Sequence, residues 1–400
     1  MTRDFDIIVS GAGIAGMVTA AGLARAGFRT CLLDPAPPPD RESAPASDLR
    51  STAYLLPAWR LLEHLGLSAD LAEVAQPLAG LRIVDTAGAP PHPRDTRLFT
   101  PDDLGTGVFG WNLPNWLTRH RLGQALAGIE RLELCLGTGF AGRLARTNEV
   151  LVTTDDGTRL RAALLVGADG RNSPVRQAAG IPVSIRRYGQ KALAFAVTHD
   201  IPHDDISTET YAPGGACTLV PLPDRDGAPA SAVVWMQDGP ATARLAAANP
   251  DDVAAALQQR VCGLLGKMRV VSPVQSWPVV TQTAGRLSAR RSVIVAEAAH
   301  VLPPIGAQGL NTSLADVASL LETLAGASDP GDPALLAAHD RRRRADVAAR
   351  AAVIDVFNRV CRSDAAGARR LRAAGLSAVH GIAPLRRAVM RAGMGTAPEV

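Results

Sequence analysis

The chain has 400 residues, of which 47% are hydrophobic, 20% charged and 4% aromatic, with a formal net charge of +4. That is enough apolar material for a large core in one or two domains. The scarcity of rings, with no basic stripe interleaving them, excludes a nucleic-acid-binding protein. The cysteines at 31, 135, 217, 262 and 361 form no Cys-x-x-Cys pair, which fits reduced thiols and no metal site. No apolar run reaches the roughly 18 uncharged residues of a membrane span. The opening MTRDFDIIVSGAG lacks the shape of a signal peptide, so the expected location is cytoplasmic.

Asp6 to Ser10 reads as a short apolar strand, and Gly11-x-Gly13-x-x-Gly16 follows it into a helix predicted from about Ala15 to Ala26. A second strand from Thr30 ends at Asp34. This is a βαβ dinucleotide fingerprint with an acid roughly twenty residues past the glycines, placed to accept from a ribose hydroxyl. On this motif alone the ligand is NAD or FAD. A Pro-rich loop, Ala36 to Pro45, precedes Arg50, whose guanidinium would suit a diphosphate. A helix is predicted at Pro57 to Leu65, a strand at Leu81 to Val84 and a loop from Gly88 to Pro101. Asn115 stands as the N-cap of a helix over Trp116 to Leu126.

Strands follow at Leu132 to Leu136, Val150 to Thr153 and Thr158 to Leu165, the last two joined by an Asp155-Asp-Gly turn. The third runs into Ala168-Asp169-Gly170, where Asp169 is expected to organise the turn, and Arg171 and Arg176 bring positive charge. From Ile185 to Trp277 the βαβ logic stops. Runs beginning at Lys191, Cys217 and Ser231 read as strands of an antiparallel sheet, with a helix at Asp251 to Leu265. Tyr211, Phe195 and Trp235 are its large residues, candidates for core or pocket. Val293-Ile294-Val295 is again a buried strand. Past Pro303-Pro304 and the glycines 306 and 309, the pattern turns helical from Leu310, with Leu314, Val317, Leu321 and Leu324 on one face. The amides of Leu310 and Asn311, at the positive end of that helix, would stabilise an anion. From Arg341 onward there are thirteen arginines against four acids, a net +9. That tail reads as a solvated helical face, or as attraction to an anionic membrane surface.

The run Ala-Glu-Ala-Ala-His, Pro-Pro-Ile-Gly-Ala-Gln-Gly-Leu-Asn resembles the second flavin motif of the FAD-dependent aromatic hydroxylases, the para-hydroxybenzoate hydroxylase superfamily. It is most similar to the ubiquinone-biosynthesis hydroxylases, and the likeness spans nearly the whole chain. The resemblance implies an α/β fold: a Rossmann-like FAD-binding domain (1–75, 106–184 and 285–330), an inserted antiparallel-sheet substrate domain (76–105 and 185–284) and C-terminal helices (331–400). It implies FAD held by Gly11, Gly13, Ala15, Gly16, Asp34, Arg50, Asn115, Asp169, Glu297, Pro304, Gly309, Leu310 and Asn311. The family usually has Gly-Asp where this chain has Ala296-Glu297, so Glu297 would take over a ribityl contact with a longer side chain.

The activity so implied is hydroxylation of a phenolic ring with NAD(P)H and O2, the substrate being a polyprenylated ubiquinone precursor. Alternatives are a hydroxylase of another aromatic metabolite, and a flavin dehydrogenase or non-catalytic flavoprotein. A peripheral contact with the inner face of the membrane, or a biosynthetic complex, would suit such a substrate. No catalytic side chain is assigned, and His300 is expected to be structural.

Overall fold

The computed structural model describes residues 2–44, 47–363 and 365–395. Pro45, at the end of the expected Pro-rich loop, and residues 396–400 of the expected C-terminal segment lie outside them.

Two large sheets organise the described residues. The first has a parallel centre ordered Ser292–Ile294, Arg159–Gly167, Thr2–Ser10, Thr30–Asp34, Leu132–Leu136. Ile7, Ile8, Val9, Leu164, Leu165 and Val166 are all fully buried, as strands covered on both faces must be. Helices Ile14–Arg25 and Gln308–Leu324 share one core with the sheet through Met17, Leu23, Leu314 and Val317. An antiparallel pair, Phe140–Ala145 and Val150–Thr154, extends from Arg159–Gly167.

The second sheet has nine strands. It runs from His300–Val301 through Gln275–Ala284, Val183–His199, Ala228–Asp238, Gly215–Arg225, Ile206–Ala212 and Gly80–Ala87 to His92–Phe99, with Met268–Val270 beside Val183–His199. All pairs are antiparallel except Ile206–Ala212 with Gly80–Ala87. Phe195 and Trp235 pack with Val253 and Leu257 of helix Pro250–Arg260, so they belong to the core behind the sheet. The expected loop at 88–101 is corrected. His92–Phe99 is an edge strand, and its polar sequence lacks the apolar alternation that would have announced it. A small third sheet, Ser51–Leu55, Gly110–Pro114 and Gln76–Leu78, lies between the two.

After Leu324 come helices Pro333–Arg362, Ala366–Gly381 and Ala383–Met394. The first is started by Asp332, whose carboxylate accepts from the amides of Ala334 and Leu335 at 2.6 and 3.3 Å, with Pro333 next. These helices cover the face of the nine-stranded sheet opposite Phe195. The Tyr211 ring meets Phe357 edge-on at 5.7 Å. Arg372 donates to the fully buried Asp85 at 2.6 Å, and Asp85 also receives Arg94. Arg386 holds Asp103 through two bonds of 2.6 and 2.8 Å. Among the described residues no helix is long and apolar enough to cross a membrane.

Candidate active site

The glycine turn is set by contact distances. A Cβ on Gly11, whose φ is +109°, would lie 2.5 Å from the Ala168 carbonyl oxygen, and one on Gly16 would lie 1.8 Å from the Gly11 oxygen. Both glycines therefore let the turn close on itself. Gly13 differs: a Cβ there would meet nothing within 4 Å, because it faces an open cavity. It precedes helix Ile14–Arg25, whose first turn has no side-chain cap, so backbone N–H groups and the helix dipole point into that space. Ala15 also lines the cavity, while Gly16 sits beneath the turn. Asp34, at its strand's end, accepts from the amides of Ala12 at 2.6 Å and Ala36 at 2.9 Å. Four lone-pair sites minus two leave room for ligand hydroxyls.

Arg50 lines the cavity in a fixed pose. Its Nε donates to Asp48 Oδ1 at 2.8 Å, its Nη2 to Asp48 Oδ2 at 2.6 Å, and its guanidinium lies 4.6 Å from the Trp277 ring centroid. Asn115 is not the expected N-cap. Pro114 takes that position, and Asn115 is the first residue of helix Asn115–Leu126. Its Nδ2 donates to Asp48 at 2.9 Å and its Oδ1 accepts from Thr52 at 2.7 Å. Nothing local in the sequence marks Asp48, Thr52 or Trp277, since their role exists only once three separate segments meet.

Asp169 accepts from the Val175 amide at 2.9 Å and from the Ser173 hydroxyl, and Ser173 in turn caps the next helix at the Arg176 amide. Burial raises the Asp169 carboxyl pKa, and these bonds oppose it. Asp169 organises its turn, as expected. Arg176 is buried, giving its Nη1 to the carbonyls of Arg171 and Ala298, both at 2.9 Å, whereas Arg171 lines the cavity.

The second motif begins two residues earlier than predicted. Helix Gln308–Leu324 starts behind Ala307, which has φ +57° and no side-chain cap. The unpartnered first-turn amides therefore end at Leu310, and Asn311 is the fourth helical residue. Asn311 is absent from the cavity wall. Its Oδ1 accepts from the Leu55 amide at 2.9 Å and its Nδ2 donates to the carbonyls of Ala53 and Ala307, which ties the helix start to strand Ser51–Leu55. Pro304, Gly309 and Leu310 line the cavity. So does Glu297, whose side chain is exposed to it.

Behind this wall stands a buried cluster with no signature in the sequence. Asp316, fully buried, accepts from His300 Nε2 at 2.6 Å, from Arg343 Nε at 2.7 Å and from the Ala296 amide at 3.0 Å. Burial alone would raise its pKa, but His300 and Arg343 outweigh this and hold the carboxyl well below the usual carboxylate range. Ala296 itself adopts φ +58°. His300 is thus a structural partner of Asp316. Arg343, expected within a solvated four-arginine face, turns inward, while Arg341, Arg342 and Arg344 stay exposed.

One cavity of about 1710 Å³ joins these parts. It exceeds the roughly 300–1,000 Å³ of a single small-molecule site, so it has room for a dinucleotide and a second ligand. From the glycine turn it passes Leu302 and Pro304, crosses the sheet floor of Ile83, Tyr211, Val220 and Val234, and ends between the C-terminal helices. The open space at Gly13, the first-turn amides at two helix starts and the free carboxylate of Glu297 fit a long dinucleotide with a ring at one end. Among the described residues no cluster of His, Cys, Asp or Glu would hold a metal ion.

The family profile described as FAD binding domain matches residues 4–353. A ubiquinone hydroxylase of Rhodospirillum rubrum, UbiL, is 33% identical over 395 residues, covering 98% of this chain and 90% of its own length. The 3-demethoxyubiquinol 3-hydroxylase of Escherichia coli is 26% identical over 398 residues, with 98% of each chain covered. Among solved structures, p-nitrophenol 4-monooxygenase of Pseudomonas putida shares the fold, with a TM-score of 0.79 at 19% identity over 98% of this chain and 97% of its own. With profile, sequence and fold in agreement, the chain belongs to the FAD-binding-domain family, among the FAD-dependent aromatic hydroxylases, and stands beside the ubiquinone-biosynthesis hydroxylases.

Proposed function

We propose that this flavin monooxygenase hydroxylates the phenolic ring of a polyprenylated ubiquinone precursor. The observation that carries the reading is the continuity of the cavity. It ends among Val353, Val356, Phe357, Leu371 and Val389, which line it and are also among the chain's most exposed large apolar residues. An apolar passage that reaches the surface through an apolar mouth suits a ring carrying a long hydrocarbon tail.

The chemistry FAD supplies when bound is acceptance of a hydride from NAD(P)H and activation of O2 for hydroxyl transfer. Gly11 and Gly16 shape the turn on which the diphosphate lies, with Gly13 and Ala15 at its surface. Asp34 takes the ribose, Glu297 the ribityl chain, and Arg50, steadied by Asp48 and Asn115, adds positive charge nearby. The amides of Gly309 and Leu310 stabilise negative charge at the ring's pyrimidine edge, with Pro304 walling the ring. Asp169 and Asn311 act by holding turns and helix start in place. Under this reading 1–75, 106–184 and 285–330 form the FAD-binding domain, 76–105 and 185–284 the substrate domain, and 331 onward a helical cover that excludes water. Exposed Arg359, Arg362, Arg370, Arg387 and Arg391 lie on the same helices as the apolar mouth residues and would attract that face to an anionic membrane surface.

The test is turnover. FAD-loaded protein with NADH or NADPH, O2 and a prenylated phenol should consume oxygen and yield a product heavier by one oxygen atom in mass spectrometry. NAD(P)H oxidation that gives only hydrogen peroxide would refute the reading. Co-sedimentation with liposomes should require anionic lipid and weaken at high salt.

A further inference from the structure

The cavity holds one buried acid that the reading above gives no task. On strand Ile206–Ala212, the residues Ser207, Glu209 and Tyr211 alternate onto the cavity face, flanked by Leu81 and Ile83 on one side and Thr218 and Val220 on the other. Glu209 is only 5% exposed. Its Oε1 accepts the Tyr211 hydroxyl at 2.8 Å, and among the described residues its Oε2 has no hydrogen-bond partner. The other carboxylates lining the cavity, Asp34, Asp48, Asp155, Asp169 and Glu297, belong to segments outside this sheet. Arg372, which also lines the cavity, is already committed to Asp85 and to the Val360 carbonyl at 3.2 Å.

A carboxylate this deep with one oxygen unpaired is costly unless something else supplies a donor. Burial raises its pKa, with the Tyr211 bond opposing. Among the described residues no side chain donates to that second oxygen, which leaves it open to a donor carried by a ligand in the cavity. Resting on the function proposed above, we propose that Glu209 is a positioning and specificity-determining residue whose Oε2 accepts a hydrogen bond from a ring hydroxyl of the substrate. It thereby selects free phenols over their methyl ethers. A hydroxyl that donates strongly is more electron-rich at oxygen, and so are the ring carbons ortho and para to it, where an electrophilic oxygen adds. No atom is transferred to the protein.

The experiment uses FAD-loaded full-length protein and two probes, 2-geranylphenol and 2-geranylanisole, each titrated by the change in flavin absorbance. The wild type should prefer the phenol by about ten-fold or more, the usual worth of a charge-assisted hydrogen bond. Glu209→Gln and Glu209→Leu, checked for normal FAD content, should bring the two affinities to within about three-fold, mainly by weakening the phenol. Glu209→Asp should restore part of the preference, which a merely structural role would not do. Variants that keep the full preference, or a wild type that binds both probes equally, overturn the assignment of Glu209 alone. A wild type that binds neither probe overturns the proposed function and this inference with it.

Discussion

The glycine-turn half of the molecule and the sheet-and-helix half solve opposite problems. Around Gly13 and Gly309 the surface offered to the proposed cofactor is backbone amide, and apart from Asp34 the side chains that matter are the missing ones. Over the nine-stranded sheet the wall is made of side chains, and its cover is held at the rim by long polar latches, Arg372 to Asp85 and Arg386 to Asp103. A cofactor common to many enzymes can be held by main chain, which any sequence possesses. A particular substrate has to be recognised by residues that differ from one enzyme to the next.

The sharpest way to break this contrast lies within the first half. Gly16→Val should yield little soluble protein, because its Cβ would lie 1.8 Å from the Gly11 oxygen. Gly13→Val, with nothing within 4 Å, should fold with the melting temperature of the apoprotein and carry no yellow flavin. If Gly13→Val retains FAD, the backbone account of that half is wrong.

Next in size is the buried cluster joining the halves. Asp316→Asn leaves Arg343 without its counter-charge and His300 without its carboxylate partner, and should destabilise by about 3–5 kcal/mol in urea or thermal unfolding. Because the folded carboxyl has its pKa depressed, this stabilisation is present above the ordinary carboxylate range and is lost as pH falls below it.

His339 lies one layer further in, fully buried, with its Nδ1 3.2 Å from Ser319 Oγ. Burial lowers its pKa from 6.5 to about 4. Between those values the unfolded chain binds a proton that the folded one refuses, so stability should fall by about 3 kcal/mol as pH drops from 6.5 to 4. His339→Leu should flatten that part of a melting-temperature profile. An unchanged slope would place the titrating group elsewhere.

The smallest expected effect tests Glu297, one of the two acids assigned to the cofactor through their side chains. Glu297→Ala should weaken FAD by about 1–3 kcal/mol in apoprotein titration, while Glu297→Asp binds as well as the parent or better. Equal binding by the alanine variant would extend the backbone rule to the ribityl contact.

The two halves are unequally legible in the sequence. Gly11, Gly13, Gly16 and Asp34 stand at spacings that geometry alone demands, so the turn and its acid can be read from the order of residues. The same holds for the helix after Gly309, although Ala307 in a left-handed conformation starts it two residues early. Asp316 cannot be read in this way, because its partners lie 16 and 27 residues away and a lone acid on an apolar helix carries no local mark. The four-arginine run misleads for the same reason: only the position of helix Pro333–Arg362 shows that Arg343 is the one facing in. Strand Ile206–Ala212 is not among the strands the sequence announces, since its largely polar run lacks apolar alternation, and which face becomes cavity depends on where Phe357 comes to rest.

Gln308 links the two halves through a single side chain. Its Nε2 donates to the Gly393 carbonyl at 2.7 Å, and its Oε1 accepts from Arg350 at 2.9 Å, so the last helix hangs from the first residue of the flavin-motif helix. In recombination between relatives, the C-terminal segment is therefore not a free cassette. A graft meant to change which molecules are accepted has to bring residues 308, 350 and 393 as one set, or the transplanted cover arrives without its hook.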